Sequence, residues 1–222
     1  MNTTARAWFI TGTDTEIGKT HVACALLHAA RRAGLSAVAM KPVAAGADEI
    51  DGQRVNEDTA RLIAAGSEPL EPAEVTPYCL RSAIAPHIAA RDEGVTFDFA
   101  HIAHGLDALR ARADVVLVEG AGGLLVPLNE RRDFADLAQH LDLPVILVVG
   151  MRLGCINHAL LTCEAVAARG LHLAGWVANR VEPYMARFDE NLATLEARIR
   201  APLLGVVPHG DPADAATLHL PD

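Results

Sequence analysis

A glycine-rich turn near the N-terminus carries residue types suited to binding phosphate. It reads Gly12-Thr-Asp-Thr-Glu-Ile-Gly18-Lys19-Thr20 and lies between an apolar run and a stretch rich in Ala and Leu. Backbone N–H groups of such a turn bind phosphate oxygens, while the lysine reaches the terminal phosphates and the threonine hydroxyl binds Mg²⁺. Five residues separate Gly12 from Gly18, one more than in the usual loop. The spacing predicts a variant phosphate-binding loop, in preference to a turn whose glycines only relieve backbone strain.

Two carboxylates and a second lysine are candidates for partners of that loop. Glu119 comes at the end of the apolar run that begins at Val115, Asp58 lies in an Asn-Glu-Asp segment, and Lys41 ends another apolar run. Carboxylates are ligands of Mg²⁺ on nucleotide phosphates, and an ammonium group stabilises charge on a transferring phosphoryl group. Each residue also has an ordinary structural role, as a polar strand end (Glu119), a helix N-cap (Asp58) or a surface lysine (Lys41).

Six apolar runs alternate with helical patterns along the chain. We predict strands at Trp8–Thr11, Ala37–Lys41, Val115–Glu119, Val145–Val149, Ala174–Ala178 and Leu204–Val207. Most of these runs are continuously apolar, which is typical of strands buried on both faces. The predicted helices are His21–Ala33, Cys155–Arg169 and an apolar stripe at Tyr184, Phe188, Leu192, Leu195 and Ile199. The alternation predicts an α/β fold, an open, doubly wound and mostly parallel sheet with helices on both faces, similar to that of P-loop nucleotide-binding proteins.

Composition and charge narrow the classes of partner. The chain has 222 residues, 51% of them hydrophobic, and a formal net charge of −9. The surplus of carboxylates disfavours binding to nucleic acid, and no apolar run approaches the roughly 20 residues that cross a membrane. The N-terminal residues lack a signal-peptide pattern, and the four scattered cysteines are expected to be buried thiols in the cytoplasm. We predict one domain over residues 1–222, with a polar, mobile loop at 47–58 that is followed by a short helix, and a weakly patterned tail at 211–222 that frays.

Eight segments of the chain, in order, resemble the dethiobiotin synthetase family. They are GTDTEIGKT at 12–20, MKPVAAG at 40–46, NED at 56–58, APHIAAR at 85–91, VEGAGGLLVPL at 118–128, LPVILVVGMRLGCINHALLT at 143–162, AGWVANRV at 174–181 and APLLGVVPHG at 201–210. The first of these segments, and the LGCINHALLT part of the sixth, are much more specific than a generic phosphate-binding loop. The sequence is therefore identified as similar to this family over nearly its whole length.

The resemblance implies an ATP- and Mg²⁺-dependent ring closure. The family's substrate, 7,8-diaminopelargonic acid, takes up carbon dioxide on one amine as a carbamate, and ATP phosphorylates the carbamate. The second amine then attacks the carbamic–phosphoric anhydride, which gives the cyclic urea dethiobiotin with ADP and phosphate. This chemistry requires no protein nucleophile, and the sequence has no GxSxG motif. Positioning and charge stabilisation would supply the catalysis.

The resemblance also implies which residues hold the nucleotide and its metal. Thr20, Asp58 and Glu119 would hold Mg²⁺. Asn179 would read the adenine edge, with Arg180 beside it and the 208–210 segment lining the base. The full set of implied nucleotide-site positions is Gly12, Glu16, Ile17, Gly18, Lys19, Thr20, His21, Asp58, Glu119, Gly120, Ala121, Gly122, Asn179, Arg180, Pro208, His209 and Gly210.

The substrate site implied by the family pattern is divided between two subunits. Lys19 and Lys41 would stabilise the carbamate and the transferred phosphoryl group, and Thr15 would contact the diamine. The distant carboxylate of the substrate would meet a helix start of the partner subunit, because helix N-terminal N–H groups attract anions. The matching helix start comprises Gly154, Cys155, Ile156 and Asn157. A homodimer is therefore expected.

Two departures from the family pattern affect the implied site. Ala45 stands where the family commonly has a serine near the substrate, so one hydroxyl hydrogen bond, worth roughly 0.5–1.5 kcal/mol, would be missing. The tail segment 211–215 gives no secure position for the glutamate that often lies near the nucleotide ribose.

Two other classes share this type of loop and fold. One is a ParA- or MinD-like switch ATPase, and the other is a cobalamin-pathway amide ligase. Switch ATPases generally carry a further lysine early in the loop, whereas this loop begins Gly12-Thr-Asp. The sequence also lacks the basic C-terminal amphipathic helix that docks such proteins on membranes. These two differences favour the ring-closing ligase over a switch ATPase.

Overall fold

The computed structural model describes residues 5–50 and 53–221. In chain order the strands are β1 (Arg6–Gly12), β2 (Ala37–Met40), β3 (Val43–Ala45), β4 (Asp48–Ile50), β5 (Gln53–Val55), β6 (Tyr78–Leu80), β7 (Val115–Gly123), β8 (Val145–Gly150), β9 (Leu173–Asn179) and β10 (Leu203–Val207). The helices are α1 (Lys19–Arg32), α2 (Glu57–Ala65), α3 (Pro72–Val75), α4 (Pro86–Glu93), α5 (Phe99–Arg110), α6 (Phe134–His140), α7 (Cys155–Ala168) and α8 (Phe188–Arg198), followed by a 3₁₀ turn at Ala213–Ala215.

Six strands form one parallel sheet in the order β2-β7-β1-β8-β9-β10. The chain leaves β1 toward one edge to make β2, and it later passes to the other side of β1 to make β8. Strand order therefore reverses at β1, and the carboxyl end of β1 opens between its two neighbours. In open α/β sheets such a reversal is where ligands bind.

The sheet is buried between two layers of helices, as the continuous apolar runs predict. Along β8, Ile146 and Val148 pack into a core that includes Leu26 of α1. The alternate residues Leu147 and Val149 pack into a second core with α7 and α8. Because successive side chains of a strand point to opposite faces, these two cores lie on the two sides of the sheet. The predicted fold class is confirmed.

All six predicted strands are present, and their ends differ by a few residues from the predictions. β2 ends at Met40, so Lys41 follows the strand directly. β7 continues past its predicted end at Glu119 to Gly123, because Gly123 pairs with Gly12 of β1. The pairing of two central strands overrides the low strand preference of glycine.

Two helix predictions need correction at their starts. α1 begins at Lys19, two residues before the predicted start, because the phosphate-binding loop leads directly into the helix. α8 begins at Phe188, so Tyr184 lies outside the helix, where it is 76% exposed. The polar segment 47–58, predicted as a loop, contains the antiparallel hairpin of β4 and β5, with residues 51–52 outside the described part of the chain.

The C-terminal tail lies against α1 and β10. Arg32 donates hydrogen bonds to the carbonyl oxygens of Asp214 and Ala216, at 2.9 and 2.8 Å. The backbone N–H of His219 donates to the carbonyl of Leu204, and the side chain of Leu218 is buried. These contacts hold the tail at several points, and the fraying predicted for residues 211–222 stays a prediction.

The four cysteines differ in burial. Cys24, Cys79, Cys155 and Cys163 are free thiols, Cys24 and Cys155 being buried and the other two half-buried. Within residues 5–50 and 53–221, none of the helices has the length and apolar character that a membrane crossing requires.

Candidate active site

The phosphate-binding loop spans the carboxyl end of β1 and the start of α1. The N–H of Thr13 donates to Val148 of β8 at 3.0 Å, which ties the loop to the neighbouring strand. Glu16 and Gly18 both have positive φ angles, 58° and 80°, so the chain turns tightly before the helix. The first N–H groups of α1 have no partners within the helix and point out of its N-terminus, as in every α-helix. The loop therefore forms a cradle for an anion.

At two glycines of this loop a Cβ would crowd a neighbouring side chain. A Cβ at Gly18 would lie 2.3 Å from Nδ2 of Asn179, and one at Gly12 would lie 2.9 Å from Cδ1 of Ile17. The close approach at Gly18 exists because Asn179, at the end of β9, donates a 2.7 Å hydrogen bond to the carbonyl of Ile17. The glycines thus let two strand ends meet around the loop.

Lys41, Asp58, Glu119 and Thr20 form one connected cluster beside the loop. The Lys41 ammonium lies 2.6 Å from Oδ2 of Asp58 and 2.7 Å from Oε1 of Glu119. The same Glu119 oxygen accepts a 2.8 Å hydrogen bond from the Thr20 hydroxyl. Glu119 is 1% exposed, and its other oxygen, Oε2, has no hydrogen-bond partner among the residues that the structure describes. The structure brings together these candidates from α1, α2, β7 and the segment after β2.

The ordinary roles considered for these residues do not describe them. Asn56, rather than Asp58, is the N-cap of α2, where its side chain accepts from the N–H of Thr59. Asp58 therefore lies in the first turn of the helix and is free to face Lys41. Lys41 is 6% exposed and ion-paired, so it is not a surface lysine. Glu119 lies within β7 and not at its end.

Burial and nearby charge shift the two lysines in opposite directions. Burial lowers the pKa of Lys19 to about 8, against the opposing attraction of Glu119. Burial also disfavours the charge of Lys41, but Glu119 and Asp58 together outweigh it and raise the pKa of Lys41. Burial acts to raise the pKa of Asp58, and the ammonium of Lys41 overcomes that effect and holds this pKa below its usual value. Lys41 is thus a stable ammonium, whereas Lys19 is easier to deprotonate.

The oxygens of this cluster fit Mg²⁺. The donors are a hydroxyl and two carboxylates, which are the hard ligands that this ion prefers, and one carboxylate oxygen is buried without a partner in the described chain. In the described part of the chain, no group of three or more His, Cys, Asp or Glu side chains is placed to hold a metal. Mg²⁺ itself usually takes one or two carboxylates and completes its shell with waters and substrate phosphates.

The residues implied for the adenine lie at the ends of β9 and β10. Asn179 is buried, and its amide is already engaged by the phosphate-binding loop. The N–H of Arg180 donates to Val207, which places the exposed segment 208–210 next to Asn179. The Arg180 guanidinium lies 4.5 Å from the ring centroid of Phe188 of α8. This stacking draws the charged group of Arg180 toward α8.

The residues implied for the diamine lie on three separate elements: the phosphate-binding loop, β3 of the two-stranded β3–β6 sheet, and the start of α7. The side chain of Thr15 borders Gly122, where a Cβ would lie 3.3 Å from the threonine oxygen. Ala45 is half-buried at the end of β3. Gly154 is the N-cap of α7, and the preceding Leu153 is 96% exposed. Among the described residues, no hydrogen bond or ion pair joins the start of α7 to the lysine–carboxylate cluster.

Sequence reasoning missed three features. Asp14 of the loop forms an ion pair with Arg152, which follows β8. Asn56 caps α2 and so orients Asp58. A mainly apolar cavity of about 780 Å³ lies against α2 and α3, lined by residues that include Arg54 and Ile63 but by none of the predicted site residues. The Asn-Glu-Asp spacing could have indicated the cap, since Asn is a preferred N-cap residue. An ion pair between distant loops leaves no local signal.

Comparison with solved structures shows which proteins share this fold. Chloroplast FtsY from Physcomitrella patens superposes with a TM-score of 0.57 at 15% identity, over 99% of this chain and 63% of FtsY. A ParA-family ATPase from Chlorobium tepidum TLS gives 0.54 at 12% identity, over 94% and 85% of the two chains. MinD from Pyrococcus horikoshii OT3, complexed with Mg-ADP, gives 0.52 at 17% identity, over 93% and 87%. These likenesses show that the chain has the fold of P-loop proteins, with its phosphate-binding loop at the carboxyl end of β1.

Sequence comparison identifies the family within that class. A family model described as an AAA domain matches residues 6–217. An ATP-dependent dethiobiotin synthetase, BioD, from Aromatoleum aromaticum (strain DSM 19018 / LMG 30748 / EbN1) is 65% identical over 223 residues, which cover 99% of each chain. The chain belongs to the ATP-dependent dethiobiotin synthetase family, and it is a ligase of the P-loop type. The family predicted from the sequence is confirmed.

Proposed function

We propose that this protein converts 7,8-diaminopelargonic acid, carbon dioxide and ATP into dethiobiotin, ADP and phosphate, with Mg²⁺ bound to the nucleotide. One observation carries the proposal beyond the family assignment. Lys41 is a buried ammonium held between Asp58 and Glu119, beside the phosphate-binding loop. A buried cation beside that loop supports a role in stabilising the phosphoryl group that would pass from ATP to a carbamate.

The reaction proceeds in three balanced steps. One amine of the substrate attacks carbon dioxide and loses a proton, which forms the carbamate. A carbamate oxygen then attacks the γ-phosphorus of ATP, the bond to ADP breaks, and the carbamic–phosphoric anhydride forms. The second amine attacks the anhydride carbon, loses its proton and expels phosphate as the ring closes. Negative charge develops on carbamate and phosphoryl oxygens, so fixed cations stabilise the second step.

Each residue of the site has its own role in this reaction. Lys19 reaches the terminal phosphates from the first residue of α1, and Lys41 stabilises the carbamate and the transferred group. Thr20, Asp58 and Glu119 would hold Mg²⁺, which neutralises charge on the phosphates when bound. Thr15 would orient the diamine beside Gly122. Because all donors are fixed by strand ends and helix starts, little reorganisation accompanies the reaction.

The nucleotide base and the second half of the substrate site are part of the same proposal. Asn179 would read the adenine edge through its carbonyl oxygen, since its amide group donates to Ile17. The diamine's distant carboxylate would meet Gly154–Asn157 of the partner subunit, so the protein would act as a homodimer. The exposed Leu153 beside that helix start supports an interface there. Free thiols support a cytoplasmic location.

The experiment that tests the proposal follows the product directly. Purified protein is incubated with ATP, Mg²⁺, bicarbonate and the diamine, and dethiobiotin is detected by mass spectrometry. We expect product in equal amount to the phosphate released. Phosphate release that ignores the diamine would instead indicate a switch ATPase of the ParA or MinD type.

A variant tests the metal site. Glu119→Gln removes one buried carboxylate charge and should raise the Mg²⁺ concentration needed for half-maximal activity by about tenfold or more. Glu74→Gln, a half-exposed carboxylate paired with Arg112, is the matched control and should leave the magnesium titration unchanged. An unaltered titration of the Glu119 variant would remove Glu119 from the set of ligands.

A further inference from the structure

An aspartate lies inside the phosphate-binding loop and makes three contacts there. Asp14 Oδ1 accepts the N–H of Thr15 at 2.8 Å, and its carbonyl oxygen accepts the ammonium of Lys19 at 2.9 Å. Its second carboxylate oxygen, Oδ2, lies 2.5 Å from Nη2 of Arg152. Asp14 thus sets the backbone of Thr15 and the resting position of Lys19 at once.

A carboxylate in this loop opposes the binding of a triphosphate. Like charges repel, and the repulsion is strong where protein lowers the effective dielectric constant. Both partners of the ion pair are partly shielded from water, with side-chain exposures of 40% for Arg152 and 43% for Asp14. The loop therefore contains a negative charge, and its repulsion of an incoming polyanion depends on how far the Arg152 guanidinium neutralises it.

The cation that pairs with Asp14 is Arg152, and backbone hydrogen bonds fix the segment that carries it. Arg152 lies between β8 and α7, and the N–H of the preceding Met151 donates to Asn179 at 2.7 Å. The N–H of Cys155 donates to the carbonyl of Arg152 at 3.0 Å, and Met151 is fully buried. The backbone that carries Arg152 is therefore fixed beside the loop, within reach of Asp14.

We propose that Arg152 is a positioning residue of the nucleotide site, which acts through Asp14. Arg152 neutralises the Asp14 carboxylate and holds it on the N–H of Thr15, so that the loop accepts a triphosphate without repulsion. The inference rests on the proposed use of ATP by this site. This proposal gives Arg152 a role in nucleotide binding within its own subunit. The same segment continues to the start of α7, which is proposed to meet the diamine that is bound in the other subunit.

The first experiment separates nucleotide binding from turnover. Arg152→Ala should weaken binding of the non-hydrolysable analogue AMP-PNP with Mg²⁺, measured by calorimetry, by about tenfold. The KM for ATP should rise by a similar factor, while kcat and the KM for the diamine should stay within about twofold. Arg152→Lys keeps the charge and should restore most of the affinity. Arg112→Ala breaks a 2.7 Å pair of similar exposure with Glu74 and is the matched control, expected to change none of these values.

The second experiment tests whether Arg152 acts through Asp14. In the double variant Asp14→Asn/Arg152→Ala the carboxylate charge is gone, and the amide oxygen can still accept from Thr15. Affinity for the analogue should therefore return to within about threefold of the wild type. A double variant as weak as Arg152→Ala would overturn the proposal, because Arg152 would then contact the phosphates itself. Unchanged affinity in Arg152→Ala would also overturn it and reduce the pair to a surface contact.

The outcome for the proposed function is read separately. Wild-type protein that binds the analogue but makes no dethiobiotin would contradict the proposed function and leave the role of Arg152 standing. Wild-type protein that makes dethiobiotin, with Arg152→Ala binding the analogue normally, would contradict the role of Arg152 alone. Thermal unfolding of each variant shows whether a loss of binding reflects loss of the fold.

Discussion

At the scale of single residues, the burial of Lys19 disfavours the charged form of its side chain in the folded protein. Its folded pKa of about 8 lies below the unfolded value of 10.5. The destabilisation is fully present below pH 8, where the folded chain must hold a buried ammonium, and it disappears as the pH rises from 8 toward 10.5. Binding of an anionic phosphate would compensate for the lost hydration of that ammonium, which links the stability of the site to its ligand.

We predict that Lys19→Met is more stable than the wild type at pH 7 in the absence of nucleotide. Methionine has no charge to desolvate and fills a similar volume. The difference in the free energy of unfolding should shrink steadily between about pH 8 and pH 10, as wild-type Lys19 loses its proton. Denaturant titrations at several pH values measure this difference. A gap that stays constant with pH would show that burial does not disfavour the Lys19 ammonium.

Lys41 is the opposite case, because its charge is held by two carboxylates. We predict that Lys41→Gln lowers kcat by about 100-fold or more, since the missing cation faces charge that develops during transfer. Affinity for AMP-PNP with Mg²⁺ should change less than threefold. Thermal unfolding should also shift downward, because Glu119 loses its buried partner. Arg187→Gln, which breaks an exposed pair with Glu190, is the control. An unchanged kcat in Lys41→Gln would exclude Lys41 from catalysis.

At the scale of elements, the phosphate-binding loop depends on the contact between Gly18 and the end of β9. We predict that Gly18→Ala weakens nucleotide binding by more than tenfold, because its Cβ would lie 2.3 Å from Asn179. Gly34→Ala is a close control, since Gly34 has φ +79° and a Cβ there would meet no neighbouring atom of the described chain within 4 Å.

Both substitutions place alanine in the left-handed region, so each should destabilise the fold by roughly 1–2 kcal/mol. Only Gly18→Ala should affect binding, measured by calorimetry with AMP-PNP and Mg²⁺. Equal losses of nucleotide affinity in the two variants would mean that backbone strain alone, and not the contact with Asn179, explains the loss.

The main sheet could be predicted from the sequence because its strands are long, apolar and buried on both faces. The smaller strands could not. β3 and β6 have three residues each and pair with one another across more than thirty residues of chain, so neither has a local pattern. The extension of β7 through its glycines likewise follows from pairing with β1. Such elements form because of tertiary contacts, and these contacts have no local pattern in the sequence.

For the candidate site, the residues could be predicted from the sequence, but the contacts between them could not. Lys19 and Thr20 belong to a motif, and Lys41 and Glu119 are charged residues that follow apolar runs of the sequence. The connections between them could not be predicted, since they depend on side chains from separate elements meeting at one edge. The bridge from Arg152 to Asp14 spans 138 positions and has no motif.

At the scale of the whole molecule, the proposed interface can be tested through one exposed residue. We predict that Leu153→Asp shifts the protein from dimer to monomer, because it replaces a 96% exposed apolar side chain at the proposed interface with a charged one. Analytical ultracentrifugation measures this shift. The KM for the diamine should rise at least tenfold, while the affinity for AMP-PNP stays unchanged.

Ile50→Asp, on the separate hairpin of β4 and β5, is the control for the added charge. It should leave both the oligomeric state and the KM for the diamine unaltered. A Leu153 variant that remains dimeric with a normal KM would place the interface elsewhere on the surface.

The position of Lys19 and Lys41 beside the phosphate-binding loop has a consequence for spectroscopy. They are the only two lysines in the sequence, and every other basic side chain apart from histidine is an arginine. Reductive methylation with ¹³C-formaldehyde labels amines and leaves guanidinium groups untouched. Besides the α-amino group, the labelled methyl carbons would therefore sit only on the two ammonium groups beside the phosphate-binding loop, so an NMR spectrum of this 222-residue chain would reduce to a few resonances that report on that one location.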